Sequence, residues 1–105
     1  MLIYKGMNVF PTAILDLIIE RFAGRVAPLV RIWKEHAGQV RFDDPIAVDT
    51  EAVAGFDPAQ SAGLAEAIEH EVRSRLQVRV AVRVLAEGSL PRNAYKNSLL
   101  AVRGT

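Results

Sequence analysis

Two stretches of the chain carry helical periodicity. Apolar residues at Ile14, Leu17, Ile18 and Phe22 follow the i, i+3, i+4, i+8 spacing that turns one helix face toward a core. Gly24 and Pro28 bracket the end of that helix. A second helix is announced by Asp57-Pro58-Ala59-Gln60. The aspartate can accept a bond from first-turn N–H groups, Pro58 suits the first helical position, and Gln60 can reach back to the cap. Leu64, Ile68, Val72 and Leu76 then form a buried stripe. Glu66/His70, Glu69/Arg73 and Glu71/Arg75 pair at i, i+4 on what reads as a solvated face.

The remaining rhythm has period two. Val78, Val80, Val82 and Val84 alternate with Arg79, Ala81 and Arg83, the most regular strand of the chain. Val30 to Glu35 predicts another, with Val30 and Ile32 inward and Arg31 and Trp33 opposite. After a turn at Ala37-Gly38, Val40 and Phe42 are expected on the return strand of a hairpin. Asp43-Asp44-Pro45 breaks it, and residues 45–56 read as irregular except for a short strand at Ile46-Ala47-Val48. Leu2-Ile3-Tyr4 and Asn8-Val9-Phe10 form one irregular strand or two pieces about a turn at Gly6. Leu99 to Val102 makes a last short strand or a docked tail. The order β-α-β-β-α-β predicts an α+β fold: a ferredoxin-like antiparallel sheet with two helices on one face and a short C-terminal tail. It is read as a single domain over residues 1–105.

Composition narrows the function classes. Without cysteine there is neither a disulfide framework nor a thiolate metal site, which fits a cytoplasmic setting. No apolar run approaches the length that spans a bilayer, and the first residues hold no stretch long enough for a secretory signal. With 13 basic and 12 acidic residues, the net charge of +1 supplies no global field toward nucleic acid or an anionic membrane. His36 and His70 lack further ligands at metal-binding spacing, so no metal site is expected.

The candidate chemistry lies at the two ends. Gly88-Ser89-Leu90-Pro91-Arg92-Asn93-Ala94-Tyr95-Lys96 places a lysine on a Gly/Pro-punctuated loop after the regular strand. A loop held by a rigid support is a good way to present a cation to a phosphate or carboxylate. This loop, together with Leu2-Ile3-Tyr4-Lys5-Gly6-Met7-Asn8-Val9-Phe10-Pro11-Thr12-Ala13-Ile14, resembles the C-terminal domain of phenylacetate-CoA ligases and coenzyme F390 synthetases. These are AMP-forming enzymes of the adenylate-forming superfamily. The first run is similar to the family's K/R-G-x-N-V-F-P-S-x-I-E segment after the interdomain hinge, and the second to its G-S-L-P-R-S-x-G-K loop. Tyr95 stands where the family has glycine, Asn93-Ala94 replace a serine–acid pair, and Leu15 replaces a glutamate. In the family the serine and glutamate form a capping box; here Thr12 is expected to keep only the cap.

The resemblance implies a two-step reaction. A large N-terminal adenylation domain, not part of this chain, would bind ATP with Mg²⁺ and an aryl acid and form an acyl-adenylate; the acyl group would then pass to coenzyme A. Lys96 would be the catalytic lysine, and Gly6, Met7 and Arg92 the cofactor-binding positions, Gly6 facing the pantetheine. The isolated domain is expected to hold no cofactor and to activate no acid alone. Two other readings remain. One is a stand-alone module binding an anion, RNA or a partner subunit through an open sheet face carrying Arg31, Trp33, Arg41, Arg79, Ala81 and Arg83; nucleic acid is the less expected ligand, since RNA-binding sheets present more stacking aromatics. The other is a homodimer through that face or through an edge strand.

Overall fold

Both helices form where the periodicity puts them. In a computed structural model of the chain, which describes residues 2–36, 38–86 and 100–102, helix α1 spans Pro11–Arg21 and buries Ile14 and Ile18 completely. Its N-cap is Phe10, which is extended and makes no side-chain cap bond. Thr12 therefore lies inside the first turn and is not the cap: Pro11, with its fixed φ and missing N–H, starts the helix ahead of it. Helix α2, Ser61–Leu76, follows a single 3₁₀ turn at Pro58–Gln60, and the Asp57 carboxylate accepts the Ala59 N–H at 2.9 Å as expected. Leu64, Ile68 and Val72 are its buried stripe. The helix closes on Gln77 in the left-handed region (φ 58°), whose N–H bonds the Arg73 carbonyl at 2.9 Å.

The strands make two sheets. Strands β1 (Leu2–Tyr4) and β2 (Met7–Val9) form a hairpin, and the two-residue strand β4 (Arg41–Phe42) joins β1 in parallel. The larger sheet has the order β6-β5-β3-β7, built from β3 (Val26–Lys34), β5 (Ile46–Ala52), β6 (Val80–Leu85) and β7 (Leu100–Val102). Strand β3 pairs antiparallel with β5, while β6 and β7 add in parallel on the two sides. The pairing is thus mixed rather than wholly antiparallel.

The return strand of the hairpin is also not the expected one. Val40 and Phe42 leave β3 and go to β1, where Ile3 N–H meets the Val40 carbonyl at 2.7 Å. The partner of β3 is the seven-residue β5, with Ile32 level with Val48 and Val30 with Thr50. Strand β3 also begins earlier than the sequence suggested, and its register shifts between Val26 and Val30. Pro28 falls in that irregularity, where a residue without an N–H is tolerated.

One hydrophobic core joins these parts. Helix α1 packs on β3, α2 on β6, and the helices touch each other. Ile14, Ile18, Leu64, Ile68 and Val72 meet the sheet residues Val30, Ile32, Ile46, Val48, Val80 and Val82. Leu2, Tyr4, Val9 and Phe42 seat the small sheet on the same core. The α+β class and the two helices on one sheet face therefore stand.

Candidate functional site

Gly6 sits at the tip of the β1–β2 hairpin. Tyr4 pairs with Met7, so the loop has two residues, Lys5 (φ 47°) and Gly6 (φ 81°). Two successive positive φ values are the signature of the tight turn whose twist matches that of paired strands. Tyr4 is buried, the Lys5 ammonium lies 5.6 Å from its ring centre, and Lys5 N–H bonds the Phe42 carbonyl at 3.0 Å. The turn is thereby tied to both its own hairpin and β4.

Parallel addition of β4 brings Arg41 level with Ile3. The result is an open cleft of about 240 Å³ lined by Ile3, Lys5, Gly6, Asn8, Arg41 and Asp43. Two cations, one carboxylate and a side-chain amide line this space, a set able to hold a polar, anion-bearing chain. A Cβ built on Gly6 meets nothing within 4 Å, so the backbone at the turn is open to approach. Met7 is half-buried and packs against the core. Lys96 and Arg92 lie outside the described residues.

The sheet face away from the helices is organised around Asp49, which the sequence did not single out. Its carboxylate is 2 % exposed and accepts the Trp33 indole N–H at 2.9 Å and two Arg83 donors, Nε at 2.9 Å and Nη2 at 2.6 Å. The Arg31 guanidinium lies 5.9 Å from the Trp33 ring centre. The carboxylate holds the Arg83 pKa above its ordinary value, first by the hydrogen bonds and then by charge attraction. The expected array of open-face arginines is divided accordingly. Arg83 is engaged by Asp49, and Arg41 belongs to the other sheet. Only the strand pairing brings Asp49, Trp33 and Arg83 together, so no local signal could have found them.

A third feature joins α2 to β6. Glu69 Oε2 accepts the Val82 backbone N–H at 2.9 Å, so this residue is not part of a purely solvated face. Of the three expected i, i+4 pairs, Glu71–Arg75 is seen at 3.5 Å. Beside Glu69 runs a groove of about 350 Å³ lined by Pro45, Glu66, His70, Arg73, Arg79 and Val80 as well. Among the described residues no group of three or more histidines and carboxylates could hold a metal ion, and no helix is long and apolar enough to cross a membrane.

Comparison with known proteins places this geometry. The family described as AMP-binding enzyme C-terminal domain matches residues 6–101. A solved domain of phenylacetate-coenzyme A ligase from Bacteroides vulgatus ATCC 8482 superposes with a TM-score of 0.76 at 23 % identity, covering 98 % of this chain and 92 % of that one. 2-Hydroxyisobutyryl-CoA ligase in the postadenylation state, in complex with R3-HIB-AMP, gives 0.75 at 20 % identity over 97 % of this chain. An open conformation of the same ligase with 2-HIB-AMP and CoA gives 0.69 at 20 % identity over 92 % of this chain. This chain spans only about a fifth of the length of those ligase chains, 21 % and 20 % respectively. These likenesses establish the fold. No curated protein matches the sequence.

Proposed function

Because the chain belongs to the AMP-binding enzyme C-terminal domain family, we propose that it is the mobile C-terminal domain of an acid–CoA ligase resembling phenylacetate-CoA ligase. It works against a large adenylation domain that binds ATP, Mg²⁺ and an aryl carboxylic acid, and it is inactive without that domain. The observation that carries this reading is the family match over residues 6–101, with the Gly6 turn and its polar cleft formed at the matched N-terminal motif. The ligase chains that share the fold, of which this chain spans about a fifth, support the need for a larger partner.

During adenylation negative charge gathers on the α-phosphate and on the attacking carboxylate; a lysine held in a water-poor site stabilises it without reorganising. Lys96 fills that role, and Arg92 in the same motif adds an anion contact. In thioester formation the Gly6 turn lies along the pantetheine, where the bare backbone permits close passage, and Met7 fixes the turn to the core.

The test mixes the chain with the adenylation domain of such a ligase and follows pyrophosphate release and thioester formation separately. Lys96→Ala should slow the first half-reaction by about 10²–10³-fold, the usual cost of one removed charge-stabilising group. Transfer from preformed acyl-adenylate to CoA should persist. An unchanged first step removes Lys96 from catalysis. Gly6→Asn keeps a residue that tolerates positive φ but adds a side chain to the open space. It should slow thioester formation and leave adenylation intact; equal rates would assign Gly6 to the turn alone.

A further inference from the structure

Strand β6 bounds the larger sheet, and among the described residues nothing pairs with its outer side. In its parallel ladder with β5, Ile46 N–H bonds the Arg79 carbonyl at 3.0 Å, so the odd-numbered residues of β6 turn their backbone groups toward β5. Val80, Val82 and Val84 turn theirs outward. A row without a strand partner is a template for adding another strand. The middle outward N–H, that of Val82, is taken at 2.9 Å by the carboxylate of Glu69, reaching down from α2.

We propose that Glu69 is a latch on this sheet edge: while its carboxylate holds the Val82 N–H, β6 accepts no further strand, and when it is removed β6 pairs with β6 of a second copy of the chain. The second copy is the fitting occupant because the outward groups suit it. An antiparallel pairing centred on Val82 sets Val82 against Val82 and Val80 against Val84, and each such opposed pair can exchange both of its hydrogen bonds. The same register sets Arg83 opposite Ala81, so no two arginines collide. Glu69 stands on the axis of that arrangement, where one side chain blocks the centre for both copies. This inference is independent of the ligase reading and concerns how the sheet edge is kept from pairing rather than what the domain catalyses.

The test uses the full chain in three forms: wild type, Glu69→Gln, which keeps an oxygen acceptor, and Glu69→Ala. Amide hydrogen exchange and mass by light scattering are measured over a hundredfold range of concentration. In wild type the Val82 amide should exchange about tenfold more slowly than those of Val80 and Val84, the protection expected of one hydrogen bond. Glu69→Ala should abolish that difference at low concentration. At high concentration its mass should double, with all three amides becoming protected, while Glu69→Gln should behave as wild type. If Glu69→Ala stays folded at constant mass, the latch is refuted. If it does not fold, the wild-type exchange decides: a Val82 amide as fast as its neighbours overturns the proposal, as does concentration-dependent protection of Val80 and Val84 in wild type.

Discussion

Asp49 is a nearly fully buried acid on the sheet face that the helices leave open. Its carboxylate answers an indole N–H and an arginine fork; its removal takes this acceptor from the indole, while the Arg83 guanidinium, with a side chain 65 % exposed, is left to water. Asp49→Ala should cost about 1–2 kcal/mol in chemical denaturation, mostly from the indole bond, since an ion pair with an exposed arginine adds little. Its pH behaviour follows from the direction of the Arg83 shift. A cation whose folded pKa is raised contributes its stabilisation fully below the unfolded value and loses it only as pH rises through the folded one. Both lie far above neutrality, so the stability difference between wild type and Arg83→Ala should be flat from pH 6 to pH 10. A difference that fades across that interval would mean another group supplies the effect. Gln77 is a second informative residue. It holds a left-handed conformation that a side chain disfavours and glycine does not. Gln77→Gly should therefore raise the unfolding midpoint, by the equivalent of up to about 1 kcal/mol.

At the scale of elements, legibility tracks how local the information is. Both helices could be read because a 3.6-residue stripe and a cap are written within a few turns of chain: Ile14 with Ile18, and Asp57 ahead of Leu64 and Ile68. Strand β6 could be read from its alternating valines. Strand β5 could not be read in full, because after Val48 it runs Asp49-Thr50-Glu51, and all three polar residues are buried. Burial hides polar residues only where partners exist, and Trp33 and Arg83 are recognised as partners of Asp49 once the strands are paired. The same blindness made Val40–Phe42 look like the hairpin's return strand, being nearer in sequence than Ile46–Ala52. The expected α1 cap, Thr12, lies two residues beyond the observed one, Phe10, because Thr12 has the right chemistry while Pro11 fixes where the helix begins.

At the scale of the whole molecule, several arginines of the expected open face lie, among the described residues, beside carboxylates. Arg83 is tied to a carboxylate, Arg41 sits on a separate sheet beside Asp43, and Arg79 borders a groove shared with Glu66 and Glu69. With a net charge of +1, the chain should give no mobility shift of single-stranded RNA even at about 50 mM salt, where phosphate contacts are strongest. A shift abolished by Arg79→Glu would reverse that conclusion. The candidate site was half legible at this scale: the Gly6 turn declared itself, and the cleft formed with Arg41 did not, since β4 reaches β1 across most of the first half of the chain. One connection extends that distance further. Strand β7 lies parallel to β3, with Leu100 beside Ile32, so β3 waits for a strand far later in the sequence before the two can meet. Non-local closures of this sort are slow. A ribosome stalled short of Val102 would expose an unfinished flank on β3, and a chaperone that shields nascent chains should bind there.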